Sequence, residues 1–429
     1  MAKFKVFLCG FILLSLVLGD VFAQGGFVEE EELMLFYEMP IVTSAARREQ
    51  QLGDITNPMT VISREEIERS GATQLGDLFY RVPGVQTERC DGQNYAVSIR
   101  GNPRVFTDDI LVLVDNVVSF NPVANATAWG ALPVALDDIE RVEIIRGPGG
   151  ILYSSNAVSG VINIITKSAK TEENYVKMRS GTNSYAMGSL GMGLKPFESK
   201  DFYARLSYQY DESDGFGRGS TGSGTSSRDN LDRHKVSLNL EYDLNEDISI
   251  KTTMKQDHHE TWKFGMSSAP TLKRVNESNH FALTYNQTIS EDYNFDVLFA
   301  IFNQNMSMLA TSDVDVNSFN LRSQHNYTWG DHLFSFGAEW AYTKENVAAN
   351  IMTNQHQTQT ISSWFAQDEY RPNDQWILTA GTRFDNNSTV PNKNYLLSPR
   401  ISAIYKPFEN HTFRGSFSRV YKTPTAAER

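Results

Sequence analysis

Residues 235–256 read KVSLNLEYDLNEDISIKTTMKQ, two alternating runs hinged on YDLNED. Val236, Leu238, Leu240 and Tyr242 fall on one side, with Lys235, Ser237, Asn239 and Glu241 on the other. The second run repeats the pattern, setting Ile248, Ile250, Thr252 and Met254 against Lys251, Thr253 and Lys255. A period of two belongs to a strand, because successive side chains point to opposite faces. The stretch therefore predicts a β-hairpin with one apolar and one polar face.

The same alternation recurs outward from this hairpin, at residues 202–210, 281–285, 295–301 and 334–342, with an apolar set rich in Tyr, Phe and Trp. In all there are roughly a dozen such runs, and long strands chained through short turns with aromatic residues at their ends describe a transmembrane barrel. A soluble sandwich would alternate too, though seldom through so many long strands in succession. The connections are uneven: DESDGFGRGSTGSGTSSRDN at 211–230 is long and polar, whereas YDLNED is tight. The long stretch reads as a surface loop between strands, although a flexible linker has the same composition. The best candidate for a spanning helix, ILVLVDNVV, is interrupted by Asp115, and no run reaches the ~18 apolar residues such a helix requires. Any membrane crossing is by strands.

A chain of 429 residues predicts more than one domain. Its 39 basic and 51 acidic residues, a formal charge of -12, exclude nucleic acid as a partner, since binding phosphates needs a surplus of Lys and Arg. Lys3 and Lys5 precede an apolar run from Val6 to Leu18, and VFA at 21–23 supplies small residues for cleavage, so residues 1–23 read as a signal peptide for export. Cys9 would leave with it, and Cys90 alone can form no internal disulfide. Residues 24–54 follow as an acidic tether that contains PIVTSA. Ile41, Val42 and Thr43 are β-prone, and Pro40 suits an edge, so this piece could add as a strand to a partner sheet or form the first strand of the next domain.

Residues 55–167 mix element types. SREEIERSG opens with an N-cap serine three residues before Glu66 and closes on Gly71, predicting a helix, and QLGDLFYRVPG predicts a second. VSIRG, ILVLVDNVV, RVEIIRG and VINIITK predict strands. The expected architecture is a small α+β domain followed, over 168–429, by an antiparallel all-β barrel.

PIVTSA, SIRG, VLVDNV, IERVEIIRGPGGILYSSNAVSGVINIITK and the later SPRISAIY resemble the TonB-dependent outer-membrane receptors over nearly all of the chain after the signal; FAQDEY and LTAGTRFD fall in the family's order. The resemblance implies a plug domain inside a barrel of about 22 strands, of which this chain holds roughly the first dozen and lacks the C-terminal part. It implies location in the outer membrane of a Gram-negative bacterium and energised uptake of a scarce, bulky ligand such as a ferric siderophore, haem or cobalamin. The partners would be outer-membrane lipid and the periplasmic TonB complex, which would pair with Glu38, Met39, Pro40, Ile41, Val42, Thr43, Ser44 and Ala45. The resemblance also implies that Arg100 and Arg146 latch the plug to glutamates of the barrel wall, for which Glu339 and Glu369 are candidates. Plug loops facing the exterior would offer Cys90, Asp91, Gln93, Asn94, Phe120, Asn121 and Trp129 to the ligand.

Competing chemistry finds little support. GPGG at 147–150 lacks the Lys-Ser/Thr of a phosphate loop and the glycine spacing of a dinucleotide site. DHHE at 257–260 puts adjacent histidines on opposite faces if it is a strand, and it is otherwise expected in a loop. Cys90 has no Cys or His at ligand spacing, and Met254, Met266, Met306 and Met308 suit strand packing better than copper. No catalytic residue, metal or cofactor is expected. The alternative function is a secreted or surface β-rich binding protein without transport.

Overall fold

The computed structural model describes residues 41–45, 47–90, 94–101, 109–119, 127–149, 151–153, 156–215, 230–261, 274–309, 312–347, 356–390, 395–408 and 411–423. Residues 1–40, Asp91, Gln93, Phe120 and Asn121 lie outside them, and with these the expected signal peptide and Glu38, Met39 and Pro40. All described residues belong to one unit, Ile41–Arg429.

The first part of this unit opens with a two-residue hairpin, β1 (Ile41–Val42) against β2 (Gln50–Gln51), followed by β3 (Met59–Ile62). Helix α1 (Arg64–Arg69) begins as its sequence predicts: Ser63 accepts from the Glu66 N–H while the Glu66 carboxylate accepts from the Ser63 N–H. The second expected helix is a 3₁₀ turn, Leu75–Arg81. Asp77 explains its tightness, accepting from the Thr73 and Gln74 amides and from the Tyr95 hydroxyl at 2.6 Å. Strands β4 (Val85–Arg89) and β5 (Tyr95–Ile99) pair antiparallel. The run read as one strand from 110 to 118 is itself a hairpin, β6 (Ile110–Val114) and β7 (Val117–Val118), because Asp115 and Asn116 both take positive φ, 48° and 66°, as a tight two-residue turn demands.

With β8 (Ile139–Arg146) and β9 (Gly160–Thr166) the plug sheet is complete in the order β3-β8-β9-β6-β7, with β6 and β9 parallel. Its β6, β8 and β9 strands are largely buried, the mark of a sheet covered on both faces. One face packs Phe79, Trp129, Ile144 and Ile162 into a core; the other meets Tyr153 and Phe365, the latter from the surrounding barrel wall.

That wall is a thirteen-stranded antiparallel sheet in which each strand pairs with the next in sequence. It comprises β10 (Tyr175–Ser180), β11 (Ala186–Leu194), β12 (Phe202–Ser213), β13 (Leu231–Asp243), β14 (Ile248–Thr261), β15 (Arg274–Ser290) and β16 (Tyr293–Leu309). The sheet continues with β17 (Ser312–Trp329), β18 (His332–Val347), β19 (His356–Asn373), β20 (Trp376–Asn387), β21 (Tyr395–Phe408) and β22 (His411–Ser418). The opening stretch is β13 and β14, registered with Leu238 opposite Met254. DHHE, expected in a loop, lies within β14.

Burial sorts the two faces in the sense opposite to that of a soluble protein. Arg205, Asp211, Arg233, Lys255, Arg322 and Arg383 are buried against the plug, while Leu321, Trp340, Trp364 and Ile401 are exposed on the outside. A solvent that accepts apolar side chains must lie outside the wall, and that solvent is hydrocarbon. At the end of the short turns, aromatic residues gather: Trp329 and Tyr327 beside one, and Trp376 stacked on Tyr405 at 4.3 Å beside another. Such a girdle marks a membrane–water boundary. Among the described residues no helix is long and apolar enough to cross a membrane.

Candidate functional site

The polar seam between plug and wall begins at the N-terminal segment. Val42 is fully buried while Ile41 is exposed. The amides of Thr43 and Ser44 both donate to the Glu143 carboxylate of β8, at 3.1 and 2.7 Å. Tyr153 donates to the Ser44 carbonyl at 2.6 Å and Asn163 to the Ser44 hydroxyl at 2.9 Å. Successive amides aimed at one carboxylate form a charge-assisted grip, roughly twice as strong as neutral bonds. Thr43 and Ser44, expected to be tether, are thus held against the plug sheet.

The next two side chains cross to the wall. Arg47 lies 3.6 Å from Glu339, and Arg48 donates to Glu369 at 2.8 Å. Arg47 takes a left-handed backbone, φ 53°, which costs a residue with a side chain about 1 kcal/mol or more and persists only where its surroundings hold it. The expected latch needs correction in its arginines. Glu339 and Glu369 do face inward onto guanidinium groups of the plug segment, but these belong to Arg47 and Arg48. Arg146 instead donates to the Pro83 carbonyl at 2.8 Å, and Arg100, at φ 57°, turns the chain after β5. Among the described residues neither forms an ion pair with the wall.

Further along the plug, acids do what those arginines were expected to do. Asp138 meets Arg205 at 2.9 Å with both side chains buried, and accepts from Ser207 at 3.0 Å. Its neighbour Asp137 meets Arg179 at 2.6 Å and accepts from Ser189 at 2.7 Å. Asp115, in the β6–β7 turn, meets Lys255 at 2.6 Å. Asp54 meets Lys406 at 2.5 Å and Arg371 at 2.9 Å. Burial alone would raise the Asp115, Asp137 and Asp54 carboxyls. The hydrogen bonds and cationic neighbours outweigh it and hold all three below the ordinary carboxylate range. Wall side chains also grip plug carbonyls: Arg233 on Gly130, Ser278 on Ala131, Lys235 on Val134 and Arg383 on Leu152.

The residues expected to face the ligand divide. Trp129 is buried, edge-on to Phe79 with centroids 5.1 Å apart. The Cys90 amide donates to the Asn94 carbonyl at 2.8 Å, closing the β4–β5 hairpin. The residues that sequence reasoning missed did leave a signal. Arg47–Arg48 form a basic pair directly after PIVTSA, and Asp137–Asp138 an acidic pair at the mouth of β8.

An α+β plug tied by ion pairs to the polar face of a sheet with an apolar exterior defines a plugged membrane barrel. The family model described as TonB dependent receptor-like, beta-barrel matches residues 179–429, and the TonB-dependent Receptor Plug Domain matches residues 51–161, so the chain belongs to the TonB-dependent receptors. Membership implies the outer membrane as its location, and the members of the family are receptors and transporters rather than enzymes. It is 32% identical to the vitamin B12 transporter BtuB of Vibrio vulnificus over 48% of this chain and 32% of that one. To the iron-regulated outer membrane virulence protein of Vibrio cholerae it is 27% identical over 97% of this chain and 64% of that one. The chain thus spans less than two thirds of the length of either. Among solved structures, a mutant of the ferric enterobactin receptor PfeA of Pseudomonas aeruginosa superposes with a TM-score of 0.72 at 18% identity, covering 90% of this chain and 64% of that one. The siderophore receptor PirA of Acinetobacter baumannii gives 0.69 at 18%, covering 87% and 61%. At that identity the likeness establishes the fold. A secreted β-protein does not account for the apolar exterior.

Proposed function

We propose that this chain serves energised uptake of a scarce, bulky ligand, a ferric siderophore, haem, cobalamin or another metal complex, across the outer membrane after export directed by residues 1–23. TonB captures Glu38 to Ala45 by strand addition. The observation that carries the reading is the chain of contacts running from that segment into both halves of the protein. Thr43 and Ser44 hold the plug sheet through Glu143, and Arg47 and Arg48 hold the wall through Glu339 and Glu369. A pull on the segment therefore loads plug and wall together. The arginines of the latch in this proposal are Arg47 and Arg48, with Asp137 and Asp138 as the opposing anchor. Of the ligand-facing set, the hairpin tip around Cys90 and Asn94 remains the proposed contact, together with Asp91, Gln93, Phe120 and Asn121.

Ile41 offers a clean test, since it is exposed and its replacement leaves the buried Val42 in place. Proline there removes a main-chain donor from the pairing strand. Ile41→Pro is expected to weaken capture of the isolated periplasmic domain of TonB by about ten-fold, the value of one or two lost hydrogen bonds, while the protein still fractionates with the outer membrane. Capture as strong as wild type would refute the strand-addition role.

A further inference from the structure

At the short-turn end, a cleft of about 590 Å³ opens between the plug and strands β13 to β17, with Thr43, Arg47 and Arg48 on one side and Asp296 and Arg322 on the other. Two of its arginines are more than nine-tenths buried, with side-chain exposures of 5% for Arg47 and 7% for Arg322. Yet Nε and Nη1 of Arg47 and Nε of Arg322 have no hydrogen-bond partner. The nearby carboxylates do not supply one. Glu339 stands 3.6 Å from Arg47 Nη1, beyond hydrogen-bond reach, and already accepts from Arg383 at 3.2 Å and Asn320 at 2.9 Å. Asp296 accepts from Arg322 Nη2 at 3.1 Å, leaving Nε, and Asp385 is taken by Arg383 and Ser363.

Burial first, and then the adjacent Arg322 charge, pull the Arg47 guanidinium down to about 10. The lining includes Glu49, Asp115, Glu140, Glu241 and Asp296, yet none of these carboxylates reaches the unbonded nitrogens of Arg47 and Arg322. Unmatched buried donors cost more on charged groups than on neutral ones, and a guanidinium fork is matched geometrically by an oxyanion. The cleft lies on the polar side of the wall, away from lipid, so the anion that reaches it is a dissolved one.

We propose that this cleft binds a small oxyanion, a phosphate, sulfate or free carboxylate, between Arg47 of the plug segment and Arg322 of the wall. The bound anion staples the N-terminal segment in its docked position. Its concentration then sets how readily the segment is released, a control separate from ligand binding at the other end of the barrel.

Trypsin reports on this directly, because cleavage after Arg47 or Arg48 requires the segment to leave the wall. The chain, purified in neutral detergent and held in chloride at constant ionic strength, is titrated with inorganic phosphate and then with sulfate, and cleavage at these two sites is followed by mass spectrometry. At ten times the half-saturating concentration the cleavage should slow by about ten-fold. Arg322→Lys keeps the charge that faces Asp296 but has no Nε donor, and should lose most of the phosphate protection while its melting temperature in chloride stays close to wild type. Lys195→Gln, a control in an exposed pair outside the cleft, should keep the protection. Phosphate-independent cleavage of the wild type overturns the proposal, as does equal protection in Arg322→Lys. Should Arg322→Lys melt early, isothermal titration of the wild type with phosphate decides: no saturable heat overturns the site.

Discussion

Asp138 shows how the plug is held. Its carboxylate and the Arg205 guanidinium are both sealed from solvent, so neither can turn to water if the other is lost. Breaking a buried pair by removing one partner costs about 3–5 kcal/mol because the survivor remains charged and uncompensated. Asp138→Asn should therefore loosen the plug by that order, read as a lower urea midpoint for loss of plug protection in hydrogen exchange. The exposed pair Lys195–Asp201 provides the contrast, since water screens both charges and solvates whichever one is left alone. Acid acts on the same seam. Asp54, Asp115 and Asp137 have folded carboxyls depressed below the ordinary value, so their contribution is complete above about pH 4 and is lost as pH falls through the depressed values. Docking should hold down to about pH 4 and fail below it. Loss of protection already between pH 5 and 7 would contradict this assignment. At this scale the inward glutamates 339 and 369 were legible because strand alternation assigns a face. Their partners were not, since where Arg47 and Arg48 dock depends on the packing of Val42 and Ser44 beneath β8.

Among elements, the barrel strands were the most legible and the plug helices and turns the least. Alternation in KVSLNLEY assigns its faces whatever the neighbours do, and β13 places Lys235, Ser237, Asn239 and Glu241 inward as expected. The plug run ILVLVDNVV has no alternation to read, since both faces are covered, and the Asp-Asn turn inside it looks like an interruption of one strand. QLGDLFYR carries the helical composition, but Asp77 draws the chain into a tighter turn by capping two amides and a phenol at once. A barrel strand predicts a directional asymmetry. Leu321, midway along β17, is 47% exposed on the outer face, whereas its neighbour Arg322 is buried within. Leu321→Arg should cost about 2–4 kcal/mol of stability in bilayers, as for a cation at the midplane of a membrane barrel. It should cost far less in the same protein's water-exposed turn at Asn245. Equal costs at the two positions would place the face of β17 in water.

At the scale of the whole molecule, the sheet has its polar side in and its apolar side out, and the plug exists to satisfy that polar side. Wall cations meet plug acids and plug carbonyls, and the N-terminal segment closes the seam where the short turns lie. Which way a sheet faces cannot be read from alternation alone, because a sandwich and a barrel share the period; the succession of so many long strands through short turns was the sequence feature that separated them. The most direct test of this inside-out arrangement uses the tryptophans. Single-tryptophan variants retaining Trp340, Trp364 or Trp129 are reconstituted in liposomes whose acyl chains carry bromine, a contact quencher. Trp340 and Trp364, exposed on the outer face, should be strongly quenched, and Trp129, buried in the plug against Phe79, should not. Unquenched Trp340 and Trp364, or quenching of Trp129 equal to theirs, would contradict the plugged membrane barrel.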